Sequence, residues 1–140
     1  PPLQHIDQMK IGGRISDYYP PSKVCNYLSP RERIIPPRLE ASSRGELHKN
    51  ACHNFKETWH LLEKFRKNHT EILIINDISI HLHVGSLNHL LNVIQKSNTF
   101  FGNAYHGSSI NKGFARIFSL KEKRKVERLI HIMDCSYQTG

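Results

Sequence analysis

The chain has 140 residues, the length of one domain whose core buries roughly 70% of the surface an unfolded chain exposes. Its apolar content of 38% is clustered, which excludes a disordered chain, and no stretch approaches the ~20 apolar residues of a membrane span. The formal net charge of +8 favours polyanionic partners such as nucleic acid or nucleotide phosphates, and fits a solubilising surface equally well. Pro1-Pro2-Leu3 lacks a basic region followed by an apolar one, so no signal peptide is expected. Three widely spaced cysteines, Cys25, Cys52 and Cys135, make no disulfide framework and fit a reducing, cytoplasmic compartment.

In chain order, residues 1–41 hold all seven prolines, four arginines and two lysines, with Tyr18, Tyr19 and Tyr27 among them. Such a segment makes no long helix or central strand, so it reads as a basic arm packed on the domain. Ser29-Pro30-Arg31-Glu32 has the pattern of one helical turn, with a Ser cap, Pro at the first position and an acid at the third. Ser42 or Ser43 can cap a helix to about Lys67, because Leu47, Ala51, Phe55, Trp59 or Thr58, Leu62 and Phe65 recur at three and four residues. Glu71–Ile75 is apolar at every position after the first and reads as a strand buried on both faces.

Ser86 can cap the next helix, with Leu87, Leu90, Leu91 and Ile94 on one side. Asn98–Phe101 starts a second strand, and Gly102 and Gly107 bracket the turn after it. Ala115–Phe118 reads as a short strand or extended loop. Ser119-Leu120-Lys121-Glu122 then has the form of a capping box opening the last helix, with Val126, Leu129, Ile130 and Met133 as its buried stripe. Alternating helices and short apolar strands predict an α/β domain over residues 42–140, three-layered with a mainly parallel sheet.

In such sheets ligands sit outside the carboxyl ends of the strands. That places Asp77, after the first strand, and the loop from Gly102 to Ser109, after the second, at a common site. Asp77 could serve a metal-bound ligand or cap a helix. The loop's two glycines allow close backbone approach, and Asn103, Tyr105, His106, Ser108 and Ser109 bring hydrogen-bonding groups. Asp77, Asn103 and His106 are the candidate catalytic groups. Gly102, Gly107, Ser108, Ser109, Arg116 and Arg124 are the candidate ligand contacts.

Ile72-Leu73-Ile74-Ile75-Asn76-Asp77 resembles the Walker B strand of P-loop NTPases, and the order of elements over residues 46–135 resembles the second half of their core. The resemblance implies Asp77 as the carboxylate facing a nucleotide-bound magnesium and Asn103 as the sensor. It implies phosphate contacts from Arg116, Lys121 or Arg124. No Gly-x-x-x-x-Gly-Lys-[Ser/Thr] occurs. Its nearest match, Gly102–Ser109, carries Ser108 in place of the lysine and leads into Asn111-Lys112-Gly113 rather than a helix. Under the resemblance the phosphate loop therefore lies before Pro1 or is absent.

Ser79–Gly85 also resembles the strand of the histidine-triad hydrolases, with His81 and His83 alternating and Ser79 where the third histidine would stand. The plainer alternative is that both histidines begin a crossover loop. Cys52 with His48, His53 and His60 could supply soft ligands, or be a buried thiol among surface imidazoles.

The leading functional expectation is a nucleotide-binding, NTPase-like protein, with magnesium brought by the nucleotide. The alternative is a non-enzymatic nucleic-acid-binding module that uses the arm and the basic Lys121–Arg128 stretch. A third is a subunit whose site is completed by a partner protein or a second copy. The enzyme reading requires Asp77 and Asn103 close together. The module reading requires the arm and last helix to form one positive face.

Overall fold

A computed structural model of the chain describes residues 4–6, 9–11, 13–20, 25–106 and 113–138. It opens with a short antiparallel pair, β1 (Gln4–Ile6) and β2 (Met9–Ile11), with His5 opposite Lys10. Gly13 follows at φ 103, a backbone angle that side chains disfavour. A single 3-10 turn, Ile15–Asp17, comes next. The chain then runs without regular structure over residues 25–36 to a four-residue helix, α1 (Pro37–Glu40), with Pro37 at its first position. The helical turn expected at Ser29–Glu32 is not formed. Instead the Glu57 carboxylate accepts the Arg31 and Glu32 amides at 2.8 and 3.2 Å, which fixes that stretch against the next helix.

That helix is α2 (Arg44–Lys67), capped by Ser43, whose side chain accepts the Glu46 amide as the sequence indicates. Asn54, fully buried on α2, accepts the Ile35 amide and donates to the Ile35 carbonyl. One side chain thus satisfies both backbone groups of a residue that has no strand partner. Next come β3 (Ile72–Ile75), α3 (Ser79–Leu82), α4 (Leu87–Ile94) and β4 (Thr99–Gly102). β3 and β4 pair in parallel, Ile72 opposite Thr99 and Ile75 opposite Gly102. The molecule therefore combines helices with a small parallel two-stranded sheet, a small α/β arrangement. The last helix, α5 (Arg116–Ile130), follows a 3-10 turn at Gly113–Ala115.

The main core lies where α2, α4 and α5 meet one face of β3 and β4. Leu62, Phe65, Leu73, Leu90, Val93, Val126 and Leu129 are buried there, with Ile75 and Phe100 against them. The strand is not covered on both faces as its composition suggests: Ile72 is 57% and Ile74 64% exposed, and Phe101 on β4 is 60% exposed. Side chains alternate across a strand, so these three share the outer face. A smaller cluster of Ala41, Leu47 and Ala115, backed by Phe114 and Phe118, joins α1, α2 and the start of α5.

Two other expectations change. α5 begins at Arg116, so residues 115–118 form no strand, and Ser119 lies inside the helix rather than at its cap. Ser79–Leu82 is helical, so His81 and His83 do not share a side. In a helix, residues two apart point to nearly opposite directions. His81 faces α2, with Nδ1 3.0 Å from Thr58 Oγ1, and His83 faces α5, with Nε2 3.3 Å from Glu122 Oε1. Among the described residues no helix is long and apolar enough to cross a membrane.

Candidate functional site

The parallel pairing brings the carboxyl ends of β3 and β4 side by side, and a dense set of hydrogen bonds joins the chain beyond them. The Asp77 amide donates to Asn103 Oδ1, and Asn103 Nδ2 donates to Asn76 Oδ1 at 3.2 Å. The Ile78 amide donates to the Asn103 carbonyl at 2.8 Å, and the Tyr105 amide donates to Ser79 Oγ at 2.7 Å. Asn76 Nδ2 reaches the Gly13 carbonyl at 3.4 Å, tying the arm to the same point. Within this web Asp77 sits at φ 61, the one non-glycine residue with positive φ among those described. Aspartate is among the few side chains that enter that region at modest cost, and residues at such angles recur at turns and at functional sites.

Asp77, Asn103 and Gly102 are thus brought together as the sequence implies. Gly102 lines the cleft and is also packed against the core. A Cβ there would lie 2.5 Å from Ile78 Cδ1 and 2.7 Å from Phe100 Cζ, so the missing side chain makes room for the core. The residue before α3 is Ile78, which makes no side-chain cap hydrogen bond, and the Asp77 carbonyl accepts the Ile80 amide at 3.2 Å. His106 does not line the cleft, and its Nε2 lies 3.6 Å from Glu127 Oε1 of α5. Arg116 and Arg124 are exposed on α5 and do not line it either. Gly107, Ser108 and Ser109 lie outside the described residues.

The strand ends open into a cleft of about 940 Å³ between the outer sheet face and the arm. Asn76, Asp77, Ser79, His83, Asn103 and Tyr105 supply its polar wall, and Arg14 and Arg38 its cations. Arg38 is 8% exposed and Glu122 2%. The Arg38 guanidinium reaches Glu122 Oε2 at 2.8 Å and Ser119 Oγ at 3.3 Å, and lies 4.9 Å above the Tyr105 ring centre. It therefore ties α1 to α5 and to the loop after β4, and its charge is met by a buried carboxylate. Lys125 is also engaged: its ammonium donates to the Leu82 and Gly85 carbonyls at 2.8 and 2.7 Å. Burial, and then Lys121, lowers the Lys125 pKa, against an opposing pull from Glu122.

Arg38, Glu122 and Ser79 are the residues whose part in the site sequence reasoning missed.

Outside the cleft, His81 is 3% exposed and is held neutral: burial above all, then His89 and Lys125, lowers its pKa from 6.5 to about 4. Thr58 Oγ1 lies 3.1 Å from the carbonyl oxygens of both Asn54 and Phe55. Its single proton goes to them, so the His81 Nδ1 proton is the one shared with Thr58. His89 stacks on Trp59 at 3.8 Å and meets Glu63, whose pKa is lowered to about 2 first by its hydrogen bond to Arg66 and then by that to His89. Among the described residues no group of three or more His, Cys, Asp or Glu side chains could hold a metal ion. The three cysteines are free thiols. The chain matches no protein-family profile, no curated protein and no solved structure.

Proposed function

We propose that the chain binds a phosphorylated nucleotide at the carboxyl ends of β3 and β4, as an NTPase-like α/β protein. The observation that carries this reading is the hydrogen bond from the Asp77 amide to Asn103 Oδ1, which sets the two strand-end polar residues side by side with Asp77 at positive φ. Magnesium keeps several waters and takes one or two carboxylates together with substrate phosphates. A lone Asp77 suits an ion that arrives with its nucleotide, and is too little for a metal held by protein alone. The resemblance to the second half of a P-loop core belongs to the same proposal, with Asp77 on the magnesium side and Asn103 as sensor. So does the three-layer architecture. α2 and α4 cover one sheet face, and the arm with a bound ligand would cover the other.

The test is equilibrium binding of Mg-ATP and Mg-GTP to the parent chain and to Asp77→Asn, with and without magnesium. The expected result is a severalfold loss, up to about tenfold, in affinity with magnesium and little change without it, at unchanged circular dichroism. Equal affinities in parent and variant overturn the assignment of Asp77.

A second reading rests on α5, which leaves Lys121, Lys123, Arg124 and Arg128 exposed. These four would contact a nucleic-acid backbone. Two arm arginines of that reading are already engaged, Arg33 by Glu40 and Arg38 by Glu122, so the helix rather than the arm would carry it.

A further inference from the structure

The outer half of the cleft has a composition unlike its strand-end wall. Six large apolar side chains line it, Ile15, Tyr18, Tyr19, Leu39, Ile74 and Phe101, each between 43% and 75% exposed. They come from three places in the chain: the turn after Gly13, α1, and the outer face of the parallel sheet. Apolar surface gathered from distant segments around one concavity marks a binding site. Its volume of about 940 Å³ lies within the range of small-molecule sites.

The charges lining this cleft point to the part of a ligand it takes. Its cations are Arg14 and Arg38, and its carboxylate is Asp77. Arg38 already faces Glu122 at 2.8 Å. That leaves almost no net positive charge to receive a chain of phosphates. Three aromatic rings and two isoleucines instead offer faces on which a planar ring can stack. Stacking on such rings tolerates any base, because every base has a π-face.

We propose that this apolar half is a nucleobase subsite. The ligand's heteroaromatic ring lies among Tyr18, Tyr19, Phe101 and Ile74, with its ribose toward Asp77 and its phosphates leaving the cleft there. This rests on the nucleotide reading above and adds to it that recognition resides in the nucleoside. The phosphates contribute specificity for magnesium but little of the grip. Two consequences separate the subsite from a general anion site. Adenosine or guanosine binds nearly as well as its triphosphate, and added salt changes nucleoside affinity little.

The experiment is competition at fixed magnesium, using labelled Mg-ATP and Mg-GTP against adenosine, guanosine and tripolyphosphate. Tyr19→Ala, at a side chain 75% exposed, and Phe101→Ala, at one 60% exposed, are tested beside Ile132→Ala, which is 55% exposed and lies outside the cleft. The expected result is displacement by a nucleoside within about tenfold of its triphosphate, and none by tripolyphosphate. Each aromatic variant should bind the nucleoside about tenfold or more weakly, and Ile132→Ala should bind as the parent does. Displacement by tripolyphosphate but by neither nucleoside overturns the subsite and leaves the nucleotide reading standing. Unchanged nucleoside affinity in both aromatic variants overturns it as well. If no nucleotide binds the parent at all, both fall together.

Discussion

Asp77 shows what a single residue can carry that its neighbours in sequence do not reveal. A carboxylate after four apolar residues is visible in the chain, but the φ of 61 is not. Beside it Asn103, 26 positions later, takes the Asp77 amide. His81 is the converse case, a polar residue whose surroundings remove its usual behaviour. Its pKa is about 4 in the folded chain and 6.5 for the free group. Between those values the unfolded chain holds a proton that the folded one does not, so stability falls as pH drops from 6.5 toward 4 and is unaffected above 6.5. The cost at the acid end is up to about 3 kcal/mol, since each tenfold loss of proton affinity corresponds to about 1.4 kcal/mol. Urea unfolding of the parent and of His81→Gln at about pH 7.5, above that window, and about pH 4.5, near its acid end, checks this. The parent should lose stability across the interval and the variant should lose distinctly less of it.

At the level of elements, α5 and α1 depend on one buried contact. Arg38 and Glu122 lie 84 positions apart and are almost wholly buried. Removing one partner of such a pair costs about 3–5 kcal/mol, because the other is left charged and buried, whereas replacing both with apolar side chains is often nearly neutral. Arg38→Ala should therefore lower the free energy of unfolding by several times more than Arg38→Met combined with Glu122→Leu, as read from urea midpoints. This pair also explains which elements were legible in the sequence. α2 announced itself through Ser43 and a stripe from Leu47 to Phe65, both of them local signals. The two strands and α4 were equally readable, because periodicity and flanking polar residues sufficed. The start of α5 was misplaced because Ser119 and Glu122 have the spacing of a capping box. Their partner is instead Arg38, which no local pattern can indicate. His81 and His83 alternate in sequence as they would on an extended segment, but α3 is a single helical turn, too short for periodicity to register.

For the whole molecule, the placement of charge decides what the +8 excess can do. Counterion release gives a log–log salt slope of about 0.9 for each phosphate neutralised on duplex DNA. If α5 lies along a nucleic-acid backbone, Arg124→Glu with Arg128→Glu should flatten that slope by about two contacts' worth, while Arg31→Glu, at an exposed arm position, should leave it nearly unchanged. No measurable duplex affinity of the parent at low salt would reduce the exposed cations of α5 to a solubilising face. The Arg38–Glu122 contact has one more consequence, which concerns time. Residues 44–102 carry α2, β3, α3, α4 and β4 in unbroken succession, so their contacts close over short loops and can form early. The arm is synthesised first, yet its anchoring carboxylate lies at residue 122. A nascent chain therefore passes through a stage in which the sheet exists and the arm is held by Asn54, Glu57 and Asn76 alone, before the carboxylate that meets Arg38 has been made.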